Sequence, residues 1–376
     1  METIIKKINP SNMISEDFHE AAKLLRDGKL VAFPTETVYG LGGNAFDSTA
    51  STRIYAAKGR PSDNPLIVHI SCFEDIYPLV TYLPDEAKLL ADKFWPGPLT
   101  IILNKSEKIP KETTGGLNTI AIRMPSHPIA NMLIREAGIP IAAPSANASG
   151  RPSTTKAEHV IEDLFGKIDM IIDGGSSDIG LESTIVDLTV RPALILRPGY
   201  ITLEMLREVI PEIEYDKAVL KRINDDTIVA KAPGMKYRHY APKGELTIYE
   251  GEMSRVSATI RMAAEEKLQA GYNVGILASD ELAGSYRELQ IETERDIGDI
   301  RGERDDSAGS GGRLYIKDVG SRNDEAGIAA GLFDALRYFD DVNAKYIFAE
   351  GFTEGGIGQA IMNRLLKAAG YHIVNV

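Results

Sequence analysis

Two pairs of polar residues have the types and spacing needed to bind a phosphorylated substrate. The first pair, Lys58 and Arg60, lies in AAKGRPSDNPLIVHI, at the predicted end of a helix and before a strand. Arginine binds phosphate oxygens through a bidentate fork, and lysine binds them as a point charge. Cations are also common at a helix C-terminus, because the helix dipole favours them there. The pair alone therefore leaves two interpretations open, a phosphate site and an ordinary helix end.

Ser145 and Asn147 form the second pair, in PIAAPSANASGRPS. They alternate across Ala146, so their side chains should point the same way along an extended chain. Short polar side chains at the end of a buried strand are well placed to hold a ligand in a sheet crevice. A turn in which Ser and Asn bond to the local backbone would use the same residues. The sequence favours neither interpretation.

Further polar residues interrupt or end apolar strands. Arg123 ends TIAIRMP and needs a partner, for which a substrate carboxylate and a neighbouring Asp are both suitable. His69 lies within LIVHI, where a hydrogen-bonded core histidine is the more common case. Polar residues also lie near strand ends in PTETVYGLG, LESTIVD and LRPG.

Several classes of site are excluded by missing motifs. No GxxxxGK[ST] motif is present, which excludes a P-loop. One cysteine, Cys72, and six scattered histidines argue against a transition-metal site built by the protein. Gly40, Gly42 and Ala45 fit a dinucleotide fingerprint, but the predicted helix begins only after Asp47 or Ser48. We therefore interpret these glycines as tight-turn glycines.

Residues 1–207 predict one α/β domain with a mixed sheet, because short β-rich runs alternate with amphipathic helices through connections of different kinds. Ser15 is predicted to cap the first helix, Pro84 to open another, and Gly138 to end a third. The predicted strands are TIIKKI, KLVAFPT, PLIVHI, LTIILN, TIAIRM, IPIAAPS, DMIIDGG, STIVDLT and PALILRPG.

The remaining chain predicts a linker and a smaller domain. Residues 208–244 have no clear periodicity and include the acid-free basic stretch KAPGMKYRHYAPK. Residues 245–376 repeat strand and helix, which predicts a parallel sheet. Within that domain, the polar and Gly/Ser-rich segment 301–313 is predicted to be a mobile loop.

Net charge limits the range of partners. The chain carries −12, and residues 245–376 carry −9 of it, from 14 basic and 23 acidic side chains. A chain this acidic is a poor candidate for non-specific nucleic-acid binding, so we expect no stable tRNA binding. No apolar run approaches the roughly 20 residues that span a bilayer. The start lacks the apolar segment of a signal peptide, and we expect a cytoplasmic protein without membrane contact.

Taken together, seven segments resemble the threonylcarbamoyl-AMP synthase family in its long two-domain form, in order and spacing, over residues 18–200. They are FPTETVYGLG, AKGRPSDNPLIVHI, FWPGPLT, IAIRMPSHP, PSANASGRPS, ESTIVDLT and LRPG. The resemblance implies a YrdC-like twisted mixed-sheet domain and a Rossmann-like second domain. It also implies a catalytic tetrad of Lys58, Arg60, Ser145 and Asn147.

By the same resemblance, two sets of residues contact the substrates. The set implied for L-threonine is Thr35, His69, Arg123, Ser145 and Ser183. The set implied for ATP is Lys58, Arg60, Ser62, Thr119, Asn147, Arg197 and Tyr240.

The implied reaction joins L-threonine, bicarbonate or CO2, and ATP into threonylcarbamoyl-AMP and pyrophosphate, the first step toward threonylcarbamoyladenosine in tRNA. Mg²⁺ is expected on the triphosphate, with no protein side chain as its ligand. Enzymes that transfer the threonylcarbamoyl group to tRNA are expected partners. Two alternatives remain: an RNA-binding module, which the net charge disfavours, and a carbamoyltransferase-like relative, whose additional zinc-finger and acylphosphatase-like segments are not visible here.

The basic stretch of the linker has two interpretations. With Tyr237, His239 and Tyr240 it is able to fold over the site and exclude water from a labile acyl-adenylate. An exposed tether would have the same composition, and the sequence does not decide between them.

Overall fold

The computed structural model describes residues 2–220, 239–301 and 312–376. The chain divides into two compact units, residues 1–237 and 238–376. Two sequence predictions concern segments that lie largely outside the described residues: the basic stretch of the linker and the polar loop of the second domain.

The first unit is built from short strands and helices in alternation. Its strands are β1 (Ile4–Lys7), β2 (Val31–Phe33), β3 (Gly40–Asn44), β4 (Ile67–His69), β5 (Leu99–Asn104), β6 (Thr119–Arg123), β7 (Ile141–Ala142), β8 (Met170–Asp173), β9 (Thr184–Asp187), β10 (Leu194–Arg197) and β11 (Glu214–Tyr215). Its helices are α1 (His19–Arg26), α2 (Ser48–Lys58), α3 (Asp85–Phe94), α4 (Pro128–Ala137), α5 (Ala157–Leu164), α6 (Leu203–Arg207) and α7 (Lys217–Leu220).

These strands form one mixed sheet in the order β1-β8-β2-β3-β7-β4-β6-β5-β9-β10-β11. Five neighbouring pairs are parallel, such as β4 with β6, and five are antiparallel, such as β5 with β6. The predicted mixed α/β sheet is confirmed. It also continues beyond residue 207, because β11, inside the predicted linker, pairs with β10.

Side-chain alternation along the strands gives the sheet two different faces. One face packs against α2, α3 and α5 through the fully buried Ile54, Leu90 and Val160. On the opposite side, α1 and α4 cover the part of the sheet near β2 and β8. Over β4, β5, β6 and β9 that opposite side carries only a small apolar cluster, namely Ile67, Ile102, Ala121, Ile185 and Leu196.

Two local predictions for this unit are wrong. Gly40 and Gly42 are not turn residues, because they belong to β3, where a Cβ on Gly42 would lie 2.7 Å from Phe33 and 2.8 Å from Ile141. Glycine is needed here for close packing between β3 and its neighbours. Ser15 does not cap α1 either, since residues Ser15–Phe18 form a 3₁₀ turn before it. The predicted roles of Pro84 and Gly138 at helix ends are confirmed.

The second unit has a parallel sheet, as predicted. Its strands are β12 (Glu245–Glu250), β13 (Val274–Ala278), β14 (Leu314–Asp318), β15 (Tyr346–Glu350) and β16 (Ile373–Asn375), in the order β14-β13-β15-β12-β16. Its helices are α8 (Met253–Gln269), α9 (Asp280–Arg301), α10 (Glu325–Asp341) and α11 (Gly358–Ala368), of which α9 was not predicted. In the described part of the chain, no helix has the length and apolarity needed to cross a membrane.

Candidate active site

Helix α2 determines where Lys58 lies. The Asp47 side chain caps its first turn by accepting from the Thr49 backbone N–H at 2.8 Å. The helix ends at Lys58, because Gly59 takes a left-handed φ of +62° that lets the chain leave the helix axis. Lys58 is consequently 4% exposed, rather than a surface cation at a helix end.

The Lys58 ammonium binds the loop that carries the second polar pair. Its Nζ donates to the backbone oxygens of Ser145 and Asn147, each at 2.5 Å, and lies 3.4 Å from Asn147 Oδ1. The Ser149 backbone N–H in turn donates to the Lys58 carbonyl at 2.8 Å. The structure thus brings together three members of the predicted tetrad, although they are 87 and 89 residues apart in the sequence.

Within this loop, the side chains of Ser145 and Asn147 hydrogen-bond to each other. Ser145 Oγ donates to Asn147 Oδ1 at 2.5 Å. The Asn147 amide nitrogen donates to the carbonyls of Ala148 and Arg151, at 2.8 and 3.0 Å, so its orientation is fixed. In this arrangement the donors of Ser145 and Asn147 are used within the loop, so an oxygen of a phosphate or carbamate would bind them by replacing one of these contacts.

Arg60 and Ser62 lie on the loop after α2. Arg60 is half-buried, and its Nη2 donates to the backbone oxygens of Asn64 and Pro65, at 3.4 and 3.2 Å. Ser62 is exposed.

A row of polar side chains occupies one face of the first sheet, beside its small apolar cluster. Arg123, at the end of β6, is in register with His69 on β4 and with Thr100 on β5. Thr100 shares a hydrogen bond of 2.7 Å with the hydroxyl of Ser183, just before β9. Because side chains alternate along a strand, Thr119 lies on the same face of β6 as Arg123, about 13 Å away along the strand.

The partner of Arg123 is Glu36, in the segment between β2 and β3. Arg123 Nη2 lies 2.7 Å from Glu36 Oε1, and both side chains are buried, at 4% and 7% exposure. Arg123 Nη1 donates to Thr37 Oγ1 at 2.9 Å, and the Thr37 hydroxyl lies 2.9 Å from that of Thr35. The neighbouring Asp that the sequence left open as a partner is therefore not the residue that pairs with Arg123.

The charges in this row follow from burial and from the ion pair. Burial, together with the positive Arg123, lowers the pKa of His69 to about 3, so its imidazole is neutral at physiological pH. Burial raises the pKa of Glu36, but the attraction to Arg123 outweighs it, and the net pKa is below its ordinary value. Glu36 is therefore ionised, and the row presents a neutral imidazole beside a charge-balanced pair.

Arg197 and Ser183 are linked at the far end of the polar row. Arg197, at the end of β10, is 4% exposed. Its Nε donates to the Ser183 backbone oxygen at 3.0 Å, and its Nη2 lies 3.2 Å from Ser183 Oγ. These contacts make Ser183 a junction between Arg197 and Thr100.

Tyr240, predicted to contact ATP, is placed in the second unit. It is 5% exposed, and its ring centroid lies 5.1 Å from that of Phe333 and 5.9 Å from the Arg364 guanidinium carbon. His239 is half-buried beside it, with the ring centroids 5.6 Å apart. Tyr237, the third aromatic of the lid hypothesis, lies outside the described residues.

Several buried polar groups of the first unit were missed by sequence reasoning. Among the described residues, the following side-chain atoms have no protein hydrogen-bond partner: both amide atoms of Asn64 and the hydroxyls of Thr154, Thr155 and Ser177. Buried polar groups are normally hydrogen-bonded, so atoms of this kind indicate where a ligand or water binds. Asn64 follows Arg60 in the same motif, and this was the only sequence feature that could have marked Asn64 as a candidate site residue. Nothing in the sequence distinguished Ser177 from an ordinary loop serine.

Comparison with known proteins assigns the chain to a family. A family model described as telomere recombination matches residues 23–199, and one described as the C-terminal domain of threonylcarbamoyl-AMP synthase matches residues 201–370. The threonylcarbamoyl-AMP synthase of Pyrococcus abyssi is 48% identical over 356 residues, which are 95% of each chain. The chain belongs to the threonylcarbamoyl-AMP synthase family.

Other members of the threonylcarbamoyl-AMP synthase family agree with this assignment. The Bacillus subtilis enzyme is 47% identical over 94% of this chain and 93% of its own. The crystal structure of Pyrococcus abyssi Sua5 complexed with L-threonine has a TM-score of 0.86 and 45% identity, and all of each chain is covered. The predicted family, with its YrdC-like unit and second α/β domain, is confirmed.

Proposed function

We propose that the protein synthesises threonylcarbamoyl-AMP from L-threonine, bicarbonate or CO2, and ATP, and releases pyrophosphate. The observation that carries the proposal is the approach of buried Lys58 to the Ser145–Asn147 loop in a member of this family. The domain bounds that go with it are 1–207 for the catalytic domain, 208–244 for the linker and 245–376 for the Rossmann-like domain.

The polar row around Arg123 is proposed to bind threonine. The Arg123 guanidinium would pair with the substrate carboxylate, and the hydroxyls of Thr35 and Ser183 would recognise the substrate hydroxyl. His69, neutral by burial, would line the pocket without adding a competing charge. Ser145 would meet the threonine nitrogen or the carbamate formed on it. Discrimination against serine should be modest, because one missing methyl is worth only about 1–3 kcal/mol.

The Lys58 region is proposed to bind the nucleotide. Lys58 and Arg60 would neutralise the phosphates, and Asn147 would fix the reacting phosphate. Three other residues of the first unit are proposed to contact the nucleotide. Ser62 lies on the loop after α2, Thr119 at the start of β6 and Arg197 at the end of β10. For Tyr240, the aromatic packing in the second unit gives no further support.

The chemistry needs no covalent link to the protein. The threonine amine first takes up CO2 or bicarbonate to give an N-carboxylate. An oxygen of that carboxylate attacks the α-phosphorus of ATP, and the bond from phosphorus to the pyrophosphate oxygen breaks. Side chains that position the two reactants and stabilise the charge on the phosphates then supply most of the catalysis.

ATP is proposed to enter as its magnesium complex. The described residues contain no group of three or more His, Cys, Asp or Glu side chains suited to hold a metal ion. The side chains near Lys58 offer a cation, a hydroxyl and an amide, which suit phosphate oxygens rather than a bare metal ion. The ion would thus be held through the triphosphate, and chelation of Mg²⁺ with EDTA should abolish product formation.

Location and partners complete the proposal. We place the reaction in the cytoplasm, where the product passes to enzymes that transfer the threonylcarbamoyl group to tRNA. No stable complex with tRNA is expected, because the net charge of −12 disfavours phosphate binding.

The reaction can be tested by following the carbon of bicarbonate. The purified protein is incubated with isotope-labelled bicarbonate, L-threonine and MgATP, and the nucleotide products are separated and analysed by mass spectrometry. We expect one labelled adenylate that contains threonine, formed with equimolar pyrophosphate. Label that enters the adenylate from labelled carbamoyl phosphate but not from labelled bicarbonate would contradict the proposal and favour a carbamoyltransferase. Formation of ADP would contradict it too, because ADP requires attack on the γ-phosphorus rather than the α-phosphorus.

A further inference from the structure

The Arg123 guanidinium has contacts on three of its nitrogens, from two separate segments of the first unit. Nε donates to the Gly97 carbonyl at 3.3 Å, Nη1 donates to Thr37 Oγ1 at 2.9 Å, and Nη2 pairs with Glu36 at 2.7 Å. The Glu36 backbone is itself fixed, because its carbonyl accepts the Ile179 N–H at 2.8 Å. A guanidinium bound in this way cannot rotate to follow a ligand, so its orientation is set before the ligand arrives.

These contacts leave donors available on the terminal nitrogens. Each terminal nitrogen of arginine carries two N–H groups. The Thr37 hydroxyl takes one on Nη1, whereas Nη2 faces Glu36 Oε1 as an ion pair that lacks hydrogen-bond geometry. The other N–H on each nitrogen can face the two oxygens of a carboxylate in the bidentate arrangement that arginine prefers. Glu36 Oε1 places a negative charge 2.7 Å from Nη2, and neither Glu36 oxygen receives a hydrogen bond of good geometry from the described residues.

We propose that Glu36 is a positioning residue, which orients Arg123 so that the protein prefers a substrate with a free α-carboxylate over its neutral amide. The inference rests on the proposed function, because it assumes that Arg123 meets the carboxylate of threonine. Glu36 also keeps the buried site charge-balanced before the substrate binds, since a lone buried guanidinium is strongly unfavourable.

A direct contact between Glu36 and the substrate ammonium is the competing explanation. The two explanations differ in the substrate group whose binding depends on Glu36. A contact with the ammonium acts equally on threonine and on threoninamide, because both compounds carry the ammonium. An effect through Arg123 needs the carboxylate, which threoninamide lacks.

The experiment measures binding of L-threonine and L-threoninamide to the full-length wild type and to Glu36→Gln by calorimetry. Glutamine keeps an oxygen at nearly the same place but removes the charge. Charge-assisted hydrogen bonds are about twice as strong as neutral ones, so we expect the preference for threonine over threoninamide to fall about tenfold. The affinity for threoninamide should change by less than about twofold.

Glu350→Gln is the matched control. Glu350 is also a buried carboxylate paired with an arginine, since Arg322 Nη1 lies 2.8 Å from Glu350 Oε2, but this pair belongs to the second unit. The control should keep the wild-type preference for threonine. A second variant, Thr37→Val, removes another contact of the same guanidinium and should lower the preference in the same direction, which keeps the test valid if Glu36→Gln does not fold.

Different outcomes would contradict the role of Glu36 and the proposed function. Equal loss of affinity for both compounds in Glu36→Gln, or an unchanged preference in both first-unit variants, would overturn the role of Glu36. Wild-type protein that binds neither compound, with MgATP present or absent, would remove the proposed function and this inference with it.

Discussion

Each of the two units contains a buried carboxylate paired with an arginine, and the two pairs have different surroundings. In the second unit, Glu350 accepts the Ser279 backbone N–H at 3.0 Å, the Ser279 hydroxyl at 2.8 Å and Arg322 at 2.8 Å. Both of its oxygens therefore have donors. Arg322 also donates to the Gly351 carbonyl at 2.5 Å and lies 5.0 Å from the ring centre of Phe352.

In the first unit, Glu36 and Arg123 form an ion pair of 2.7 Å without hydrogen-bond geometry, and other buried polar groups of this unit also lack protein partners. Glu36 Oε2 and the hydroxyls of Thr154, Thr155 and Ser177 are examples among the described residues. A fully hydrogen-bonded buried network stabilises one arrangement of the chain, whereas partnerless groups are costly unless a ligand or water meets them. The pair of the second unit joins strand ends of a parallel sheet. The unsatisfied groups of the first unit support the proposal that its pair belongs to a binding site.

The largest expected effect comes from Lys58→Ala, which removes the ammonium from the loop of Ser145 and Asn147. We expect the rate of product formation to fall by at least about 100-fold, because a positioned cation is lost from the phosphates. The measurement is the steady-state rate with saturating substrates. Lys345→Ala, at a half-exposed lysine of the second unit, should leave the rate unchanged. Similar losses in both variants would show that the assay detects general damage.

Arg123→Lys is expected to weaken threonine binding with little effect on ATP. Lysine keeps the charge but loses the planar fork that pairs with both a carboxylate and Glu36. The KM for threonine should rise by about 10-fold to 100-fold, and the KM for ATP should stay within about twofold. A KM for threonine that does not change would place the carboxylate of threonine elsewhere in the unit.

Glu350→Gln tests whether the pair of Glu350 and Arg322 stabilises the second unit rather than binding substrate. Burial raises the pKa of Glu350 above its ordinary value, so removal of its charge partly offsets the loss of the charge-assisted hydrogen bonds. The free energy of unfolding of the second unit should fall by about 1 kcal/mol. Denaturant unfolding, followed by a probe in that unit, provides the measurement. The KM values should not change. An increase in the KM for threonine without loss of stability would assign this pair a role in substrate binding.

The smallest effect concerns the pH dependence of stability. His69 has a folded pKa of about 3, below the unfolded value, so unfolding takes up a proton as the pH falls below about 6.5. The stability from burying neutral His69 is therefore present above pH 6.5 and is lost as the pH falls toward 3. Between pH 7.5 and pH 5.5, the wild type should lose about 1 kcal/mol through this residue.

His69→Asn should reduce that acid-dependent loss by the same amount. The free energy of unfolding of the first unit is measured at both pH values for the wild type, the variant and His372→Asn, which changes an exposed histidine. If His69→Asn and the wild type lose the same free energy of unfolding between the two pH values, His69 is not buried in its neutral form.

Much of the fold follows from the sequence, because the strands with β-branched residues and the helices with clear boundaries are locally encoded. The GLGGN segment was misjudged because glycine is rare in strands, and only the packing against Phe33 and Ile141 explains its use. Helix α9 follows β13 closely and carries many charges, so its apolar face is hard to recognise.

The motifs gave the candidate site residues, but they did not predict the contacts among them. Lys58 meets the Ser145–Asn147 loop only because β3, β4 and β7 bring α2 and the loop together. The pairing of Glu36 with Arg123 depends in the same way on sheet order across 87 residues. Local patterns do not encode such distances, so the sequence left the partner of Arg123 open.

The most direct test of the central claim is pyrophosphate release by the purified full-length protein, with each co-substrate omitted in turn. The account predicts rapid release only when MgATP, L-threonine and bicarbonate are all present, since the attacking oxygen belongs to the N-carboxylate of threonine. Release that continues without threonine, at the rate of the complete mixture, would contradict the account.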